Sequence, residues 1–387
     1  MALLASLILG CGGHHTTPPP PNPPQHFLYG RTSAGPNIAF SLSVYGLGED
    51  ATGALTPLSG SPFTITQSSM AFAATGPATD TQGRFLFVAT EVTSICCPGF
   101  GESAYSVDSN TGRVSPSATA LLDQGQFAFH PSAKFLYIAS AATRFVSQIS
   151  YHGIAGVDLS TSNLTPIPGS PFSNGQFMNS VSVEPTGHFL YTSGLLNTSS
   201  STSAFETYAV DSNTGTLTLI STDSSPGSQP SGTILFHPSG KFGYAFNIRS
   251  GNRVVDLYSA NATTGALTFM NTQISANLQN PVMHPSGNFL YGCIFITNQP
   301  CQPVGYRIDN NTGALTAISG FSLGPGFVYS LTIDKTGQHA YALSASSDQS
   351  STQILVYSID SSTGLMTQMP NLTITVPALL SDIVAGR

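Results

Sequence analysis

From residue 26 onward the chain alternates between short apolar runs and polar breaks rich in Gly, Ser, Pro, Asn and Asp. Two kinds of break recur. The first is a Thr-Gly step, at Thr52-Gly53, Thr111-Gly112, Thr214-Gly215, Thr264-Gly265, Thr312-Gly313 and Thr363-Gly364, with a degenerate copy at Thr161-Ser162-Asn163. These Thr positions are spaced by 59, 50, 53, 50, 48 and 51 residues, so the chain holds seven units. The second break precedes it in each unit and reads His237-Pro238-Ser239-Gly240-Lys241-Phe242-Gly243-Tyr244 in one copy, with counterparts at 130–137, 184–191 and 284–291. Looser counterparts are Asp80–Phe87 and Asp334–Tyr341. A Pro-Ser-Gly step before an aromatic run is a tight turn opening a strand.

Each unit then predicts four strands. An apolar stretch such as Thr233–Phe236 (strand A) enters the turn, and the Phe-Leu-Tyr run (strand B) is apolar at consecutive positions, as in a strand covered on both faces. Ile354–Ile359 alternates (strand C) and closes at an Asp-Ser-Ser-Thr-Gly turn, where the Asx side chain bonds nearby backbone; a short outer run such as Ala266–Phe269 is strand D. Four antiparallel strands per repeat of about 50 residues make a propeller blade, so the expected fold is an all-β, seven-bladed β-propeller. The first copy starts at strand B, Gln25–Tyr29, and the chain ends in a lone strand A, Leu379–Val384. N- and C-terminal strands are therefore expected to share one blade, which removes an open edge.

Composition narrows the picture. Charged residues are only 7% of the chain, the net charge is −7, and eleven Lys plus Arg form no basic run, which argues against nucleic-acid binding. Residues 1–11 read as a signal peptide: the apolar run Ala2–Leu9 is too short to span a bilayer and ends in Ile8-Leu9-Gly10-Cys11. That ending resembles the lipobox of bacterial lipoproteins, in which the Cys is lipidated. No Lys or Arg precedes Arg31, so the usual basic n-region is missing from this start. Residues 12–25, with Pro18–Pro21, Pro23 and Pro24, read as a stiff polyproline tether of roughly 40 Å. The expected organisation is thus a signal peptide over 1–11, a tether over 12–25 and the propeller over 26–387. The expected address is the bacterial cell envelope, periplasmic or surface, with membrane contact through the lipid alone. His14 and His15 lack a third ligand and read as a solvated tail. Cys293 and Cys301 flank a B–C loop and are placed to close it with a disulfide, whereas Cys96 and Cys97 are adjacent and either free or joined in a strained vicinal bridge.

The Pro-Ser-Gly-Lys-Phe-x-Tyr turns, the Asp-Ser-Asn-Thr-Gly-x-Leu-Thr segments, Gly60–Phe63 and Gly169–Phe172 together resemble the lactonase-like seven-bladed propellers. That superfamily includes phosphogluconolactonases and the muconate-lactonising propeller. The resemblance implies the fold; these are turn and packing residues and are silent on activity. Enzymes of the superfamily carry a Gly-Pro-Arg-His segment on an inner strand, then the His-Pro turn, then Asn-Glu ending strand B. The best-matching unit here reads Gln229-Pro230-Ser231-Gly232, then His237-Pro238, then Asn247-Ile248. Arg, His and Glu are all missing, and Glu91 alone restores an acid at the end of a strand B.

The remaining ionisable groups are mostly repeated in several units and read as turn formers: the Asp residues before Thr-Gly, then His130, His237 and His284 in the other turn, and His26, His188 and His339 at the start of strand B. Long B–C connections are expected at Thr90–Gly101, Ala141–Gly153, Gly194–Ser203 and Phe295–Pro303, on the face opposite both regular turns. Arg144, His152, Glu206, Arg249 and Arg253 fall in or beside such connections in three consecutive units and form the candidate ligand-contacting group. Two functions follow. One is an envelope scaffold, monomeric and without cofactor or metal, that binds a small molecule, a glycan or an envelope protein. The other is a lactone hydrolase with a shifted catalytic set drawn from Arg144, His152, Glu206 and Arg249. The missing Arg-His segment favours the scaffold.

Overall fold

The computed structural model describes residues 26–32, 43–64, 77–94, 97–117, 122–123, 126–140, 143–144, 149–150, 153–160, 164–172, 177–195, 203–223, 228–296, 301–324, 328–346 and 350–386. The lipobox Cys11, the tether, Cys96 and His152 lie outside them. Seven sheets of four antiparallel strands, ordered A-B-C-D, make seven blades, with a 3-10 turn at Pro370–Leu372 beside them. Blade 1 runs over 26–64, blade 2 over 78–123, blade 3 over 126–166, blade 4 over 177–223, blade 5 over 228–274, blade 6 over 278–317 and blade 7 over 328–376. Strand A of blade 1 is Leu380–Ala385, antiparallel to His26–Thr32 with Tyr29 opposite Val384 and Gly30 opposite Ile383. It also lies against Val328–Ile333, strand A of blade 7, which closes the ring.

The core sits between blades, and the seams repeat. Strand B opens with a phenylalanine whose ring lies over the Thr-Gly glycine of the next blade. Phe27 covers Gly112, Phe135 covers Gly215, Phe189 covers Gly265, Phe242 covers Gly313 and Phe289 covers Gly364, each so closely that a Cβ would collide. Two residues on, a buried tyrosine donates its hydroxyl to the same glycine's carbonyl: Tyr29 to Gly112 (2.8 Å), Tyr137 to Gly215 (2.8 Å), Tyr191 to Gly265 (2.8 Å), Tyr244 to Gly313 (2.7 Å) and Tyr291 to Gly364 (2.9 Å). Blade 2 carries Phe87 at the tyrosine position and packs on blade 3, whose degenerate turn lacks the glycine. In six blades an aliphatic residue where strand C ends completes the seal, its N–H bonded to the carbonyl of the residue before the first ring of strand B, which is Phe in five of them and His339 in blade 7. These residues are Val107, Leu159, Val210, Ala260, Ile308 and Ile359.

Several expected loops are shorter than the sequence implied. Strands B and C of blade 2 run on as one long hairpin, Phe85–Ser94 against Cys97–Val107, so Glu91 lies within a strand, opposite Phe100, and does not end one. The 141–153 connection carries a small hairpin, Thr143–Arg144 paired with Ile149–Ser150. Blade 5 turns from B to C through Ser250-Gly251 alone, both at positive φ (48° and 79°). Pairing between neighbouring strands satisfies backbone groups, and the strands extend as far as that pairing does.

Candidate functional site

Of the five residues proposed from sequence, four lie among the described residues, in blades 3, 4 and 5. Arg144 lies on the small hairpin of blade 3, and His152 is outside the described residues. Glu206 is no loop residue: it sits inside strand C of blade 4 (Ser203–Val210), between Thr192 and Thr222, and is 1% exposed. Tyr208 donates its hydroxyl to one Glu206 oxygen at 2.7 Å, and Thr222 reaches the other at 3.5 Å. Burial, then the Glu206 charge, drive the Tyr208 phenol far above its ordinary value, so it stays the donor. Blade 5 repeats this arrangement. Asp256, fully buried, accepts from Thr272 (2.6 Å), Asn247 (2.8 Å) and Arg249 (3.0 Å), and the Arg249 guanidinium also lies over the Phe269 ring at 4.6 Å. Arg253 is exposed at the start of strand C. Glu206 and Arg249 are thus each held by partners inside their own blade. Sequence reading missed this because the Thr partners lie on strand D, and only sheet register brings them opposite.

The segment that aligns with the enzymes' Gly-Pro-Arg-His lies on strand A of blade 5, Ser228–Phe236, at a bulge between Pro230 and Ile234. Gly232 occupies the histidine position. A Cβ there would come within 3.1 Å of both the Cβ and the carbonyl oxygen of Phe246, tighter than ordinary contact. Its own carbonyl accepts from Ser180 (2.9 Å) and Ser193 (3.0 Å) of blade 4. A side chain at this position would therefore require Phe246 of strand B to give by a few tenths of an ångström.

A second polar cluster lies at the seam between blades 7 and 1. Aligned on Tyr341, His339 stands where six blades carry phenylalanine, and it lies over Gly53 as those rings lie over their glycines. His339 is therefore not the counterpart of His26 and His188, which sit one position earlier, and the grouping of the three as folding residues is corrected. Facing it, Glu49 ends strand C of blade 1, where the other six blades end in aliphatic residues. His339 Nδ1 is 3.3 Å from Glu49 Oε1 and 3.2 Å from Asp334 Oδ2. Glu49 and Asp334 are each 1% exposed and His339 9%. Hydrogen bonds to Asp334, then to Glu49, raise the His339 imidazole to about 9 against the cost of burial. Burial opposes ionisation of Asp334, yet hydrogen bonds from His339, Thr336 and the Gln338 N–H hold its carboxyl below the usual range. Tyr341, unlike the tyrosines of five other seams, bonds no glycine carbonyl; burial and the neighbouring Glu49 raise its phenol, and Glu49 Oε2 is buried without a hydrogen bond. Glu49, Asp334 and His339 form the one group among the described residues with three side chains spaced to hold a metal ion. The signal for this cluster was present in the repeat alignment as two simultaneous exceptions, His for Phe and Glu for an aliphatic residue.

The turn histidines have a different role. His237 Nδ1 accepts from the Ser239 N–H (3.1 Å) and meets its hydroxyl at 2.7 Å, leaving Nε2–H to donate to the Gly287 carbonyl of the next blade (3.1 Å). His130 and His284 repeat this with Gly187 and Gly337. Cys293 and Cys301, both buried, are joined by a disulfide across the B–C connection of blade 6.

A family model described as lactonase, seven-bladed β-propeller, matches residues 103–284. No curated protein matches significantly. Among solved structures, the periplasmic gluconolactonase of Pseudomonas aeruginosa superposes with a TM-score of 0.63 at 16% identity, covering 94% of this chain and 99% of that one. A candidate 6-phosphogluconolactonase from Bacteroides fragilis gives 0.61 at 17% identity, with 94% and 98% covered. A Lactobacillus plantarum protein gives 0.62 at 15% identity, with 93% and 98% covered. At such identities the likeness is one of fold, and the activities named belong to those proteins. In sequence over residues 103–284, and in fold over nearly its whole length, the chain resembles the lactonase-like seven-bladed β-propellers.

Proposed function

We propose that this protein is a cell-envelope propeller that binds a ligand or partner without hydrolysing it. The observation that carries this reading is Gly232. Lactone hydrolysis needs a donor or cation for the developing oxyanion and a base for water. At the place where the enzymes of the resembling family hold these groups, this chain has Ser231, Gly232 and Ile248, and a side chain at Gly232 would press on Phe246 of the paired strand. The neighbouring charges do not replace them, because Arg249 and Asn247 are both engaged by Asp256. Export fits the disulfide, since such bonds persist in oxidising compartments. Lipidation at Cys11 would hold the propeller at the membrane surface.

A lactone hydrolase remains the competing reading, favoured by the likeness to the periplasmic gluconolactonase. The test is a panel of sugar lactones and muconolactone, followed by acid release with full-length protein. The expected result is no rate above the buffer blank for any substrate. Turnover that disappears in Arg249→Ala would overturn the proposal and establish the shifted catalytic set.

A further inference from the structure

The seam between blades 7 and 1 departs from the other six in a way that packing does not require. Phenylalanine against an aliphatic residue seals every other seam, as Phe27 with Val107 and Phe289 with Ile359 do. Here the same two places hold His339 and Glu49, with Asp334 beside them. Burying two carboxylates costs several kcal/mol per ion unless they are well compensated. Asp334 also accepts from Thr336 and from the Gln338 and His339 N–H groups, but Glu49 pairs with the imidazole through Oε1 alone, and its Oε2 is buried without a hydrogen bond. The other six joints close without a His–Glu pair, although blades 2 and 4 also bury a carboxylate, Asp80 and Glu184, at the turn position of Asp334.

We propose that Glu49, Asp334 and His339 bind one divalent transition-metal ion of the zinc type, which clips the last blade to the first. The geometry agrees with that ion. Zinc bonds to imidazole nitrogen and carboxylate oxygen are about 2.0–2.2 Å long, which sets the edge of a ligand tetrahedron at about 3.3 Å. The two edges from His339 Nδ1 measure 3.3 Å and 3.2 Å. One nitrogen and two carboxylate oxygens suit a borderline cation. A dication also balances two buried carboxylates, which one imidazolium does not. The site is enclosed between blades, so the ion enters as the ring closes and its role is structural, with no position kept open for substrate. This inference is independent of whether the propeller hydrolyses lactones.

Full-length protein stripped with a chelator is titrated with ZnCl2 by calorimetry and with CoCl2 by visible absorption. Expected are one ion per chain, the visible bands of four-coordinate Co2+, and a melting temperature raised by about 3–4 °C at a hundredfold excess over the dissociation constant. The variant combining Glu49→Val with His339→Phe recreates the apolar joint of the other seams; it should fold and bind no zinc. His14→Ala with His15→Ala should bind as the parent does. Should the Val/Phe variant fail to fold, Glu49→Gln serves instead, with affinity expected to fall at least tenfold. No zinc uptake by the parent chain, undiminished uptake by the Val/Phe variant, or unchanged affinity in Glu49→Gln would each overturn the proposal, leaving a proton as the bridge between the carboxylates.

Discussion

The hydroxyl of the strand-B tyrosine is a small group with a repeated task. In five seams it reaches across to the next blade and satisfies a buried glycine carbonyl, and burial keeps each of these phenols protonated and donating. Removing one hydroxyl leaves that carbonyl enclosed without a partner. Tyr244→Phe is therefore expected to cost about 1–3 kcal/mol in urea denaturation. Tyr341→Phe removes a hydroxyl that bonds no glycine carbonyl, so in chelator-treated protein it is expected to cost less than Tyr244→Phe. Equal losses in the two variants would show that the seventh seam uses its tyrosine as the others do. In sequence the contrast between the two tyrosines shows only as the exceptions at His339 and Glu49, since both tyrosines end counterpart segments of the repeat. What separates them is Glu49, a residue that sequence reading passed over because its neighbours in the chain, Gly48 and Asp50, belong to an ordinary strand end and turn.

Among the elements, the C-terminal strand carries the most consequence for its length. Leu380–Ala385 hydrogen-bonds to the first strand of the chain, and Leu380 and Ile383 are buried against blade 7 as well as blade 1. Its loss would open an inner edge at the channel and expose the flanks of two blades. Burying a six-residue strand with several apolar side chains is worth on the order of 5 kcal/mol, comparable with the whole stability of a typical domain. Deleting residues 379–387 is expected to give protein that aggregates or melts far below the parent, whereas deleting residues 12–25 should leave the melting temperature unchanged. A truncated chain that melts with the parent would mean that the ring is not held closed by this strand. The strand was legible in advance because the repeat lacked its inner strand at one end and had one to spare at the other. Strand lengths at the B–C side were not, since they depend on how far two neighbours continue to pair, and blade 2 pairs to Ser94 while blade 5 turns after Arg249.

For the molecule as a whole, the reading that reaches furthest is its address. If Cys11 carries the lipid, Cys11→Ala should move the protein from the membrane fraction to the soluble fraction on ultracentrifugation, with no change in the fold of the propeller. Membrane association that survives the substitution would remove the anchor. Of the charged candidates, Glu206 and Arg249 are held by partners within their own blades, while Arg253 is exposed.

Seven units, four strands in each, the order of those strands and the shared blade are all properties of sequence alone here. Each rests on local chemistry, an Asx turn, a positive-φ glycine or a Phe-Leu-Tyr run, repeated at a period that only blades explain. The absence of the enzymes' Arg, His and Glu is equally a matter of sequence. Which charges are spent and which are placed for a ligand was decided by tertiary structure. Glu206 meets Thr222 through sheet register, Gly232 is crowded by Phe246 from the paired strand, and Glu49 meets Asp334 and His339 because closing the ring brings opposite ends of the chain together. A repeat pattern specifies each blade's own contacts, but the one seam that joins the last blade to the first has no neighbour in sequence to announce it.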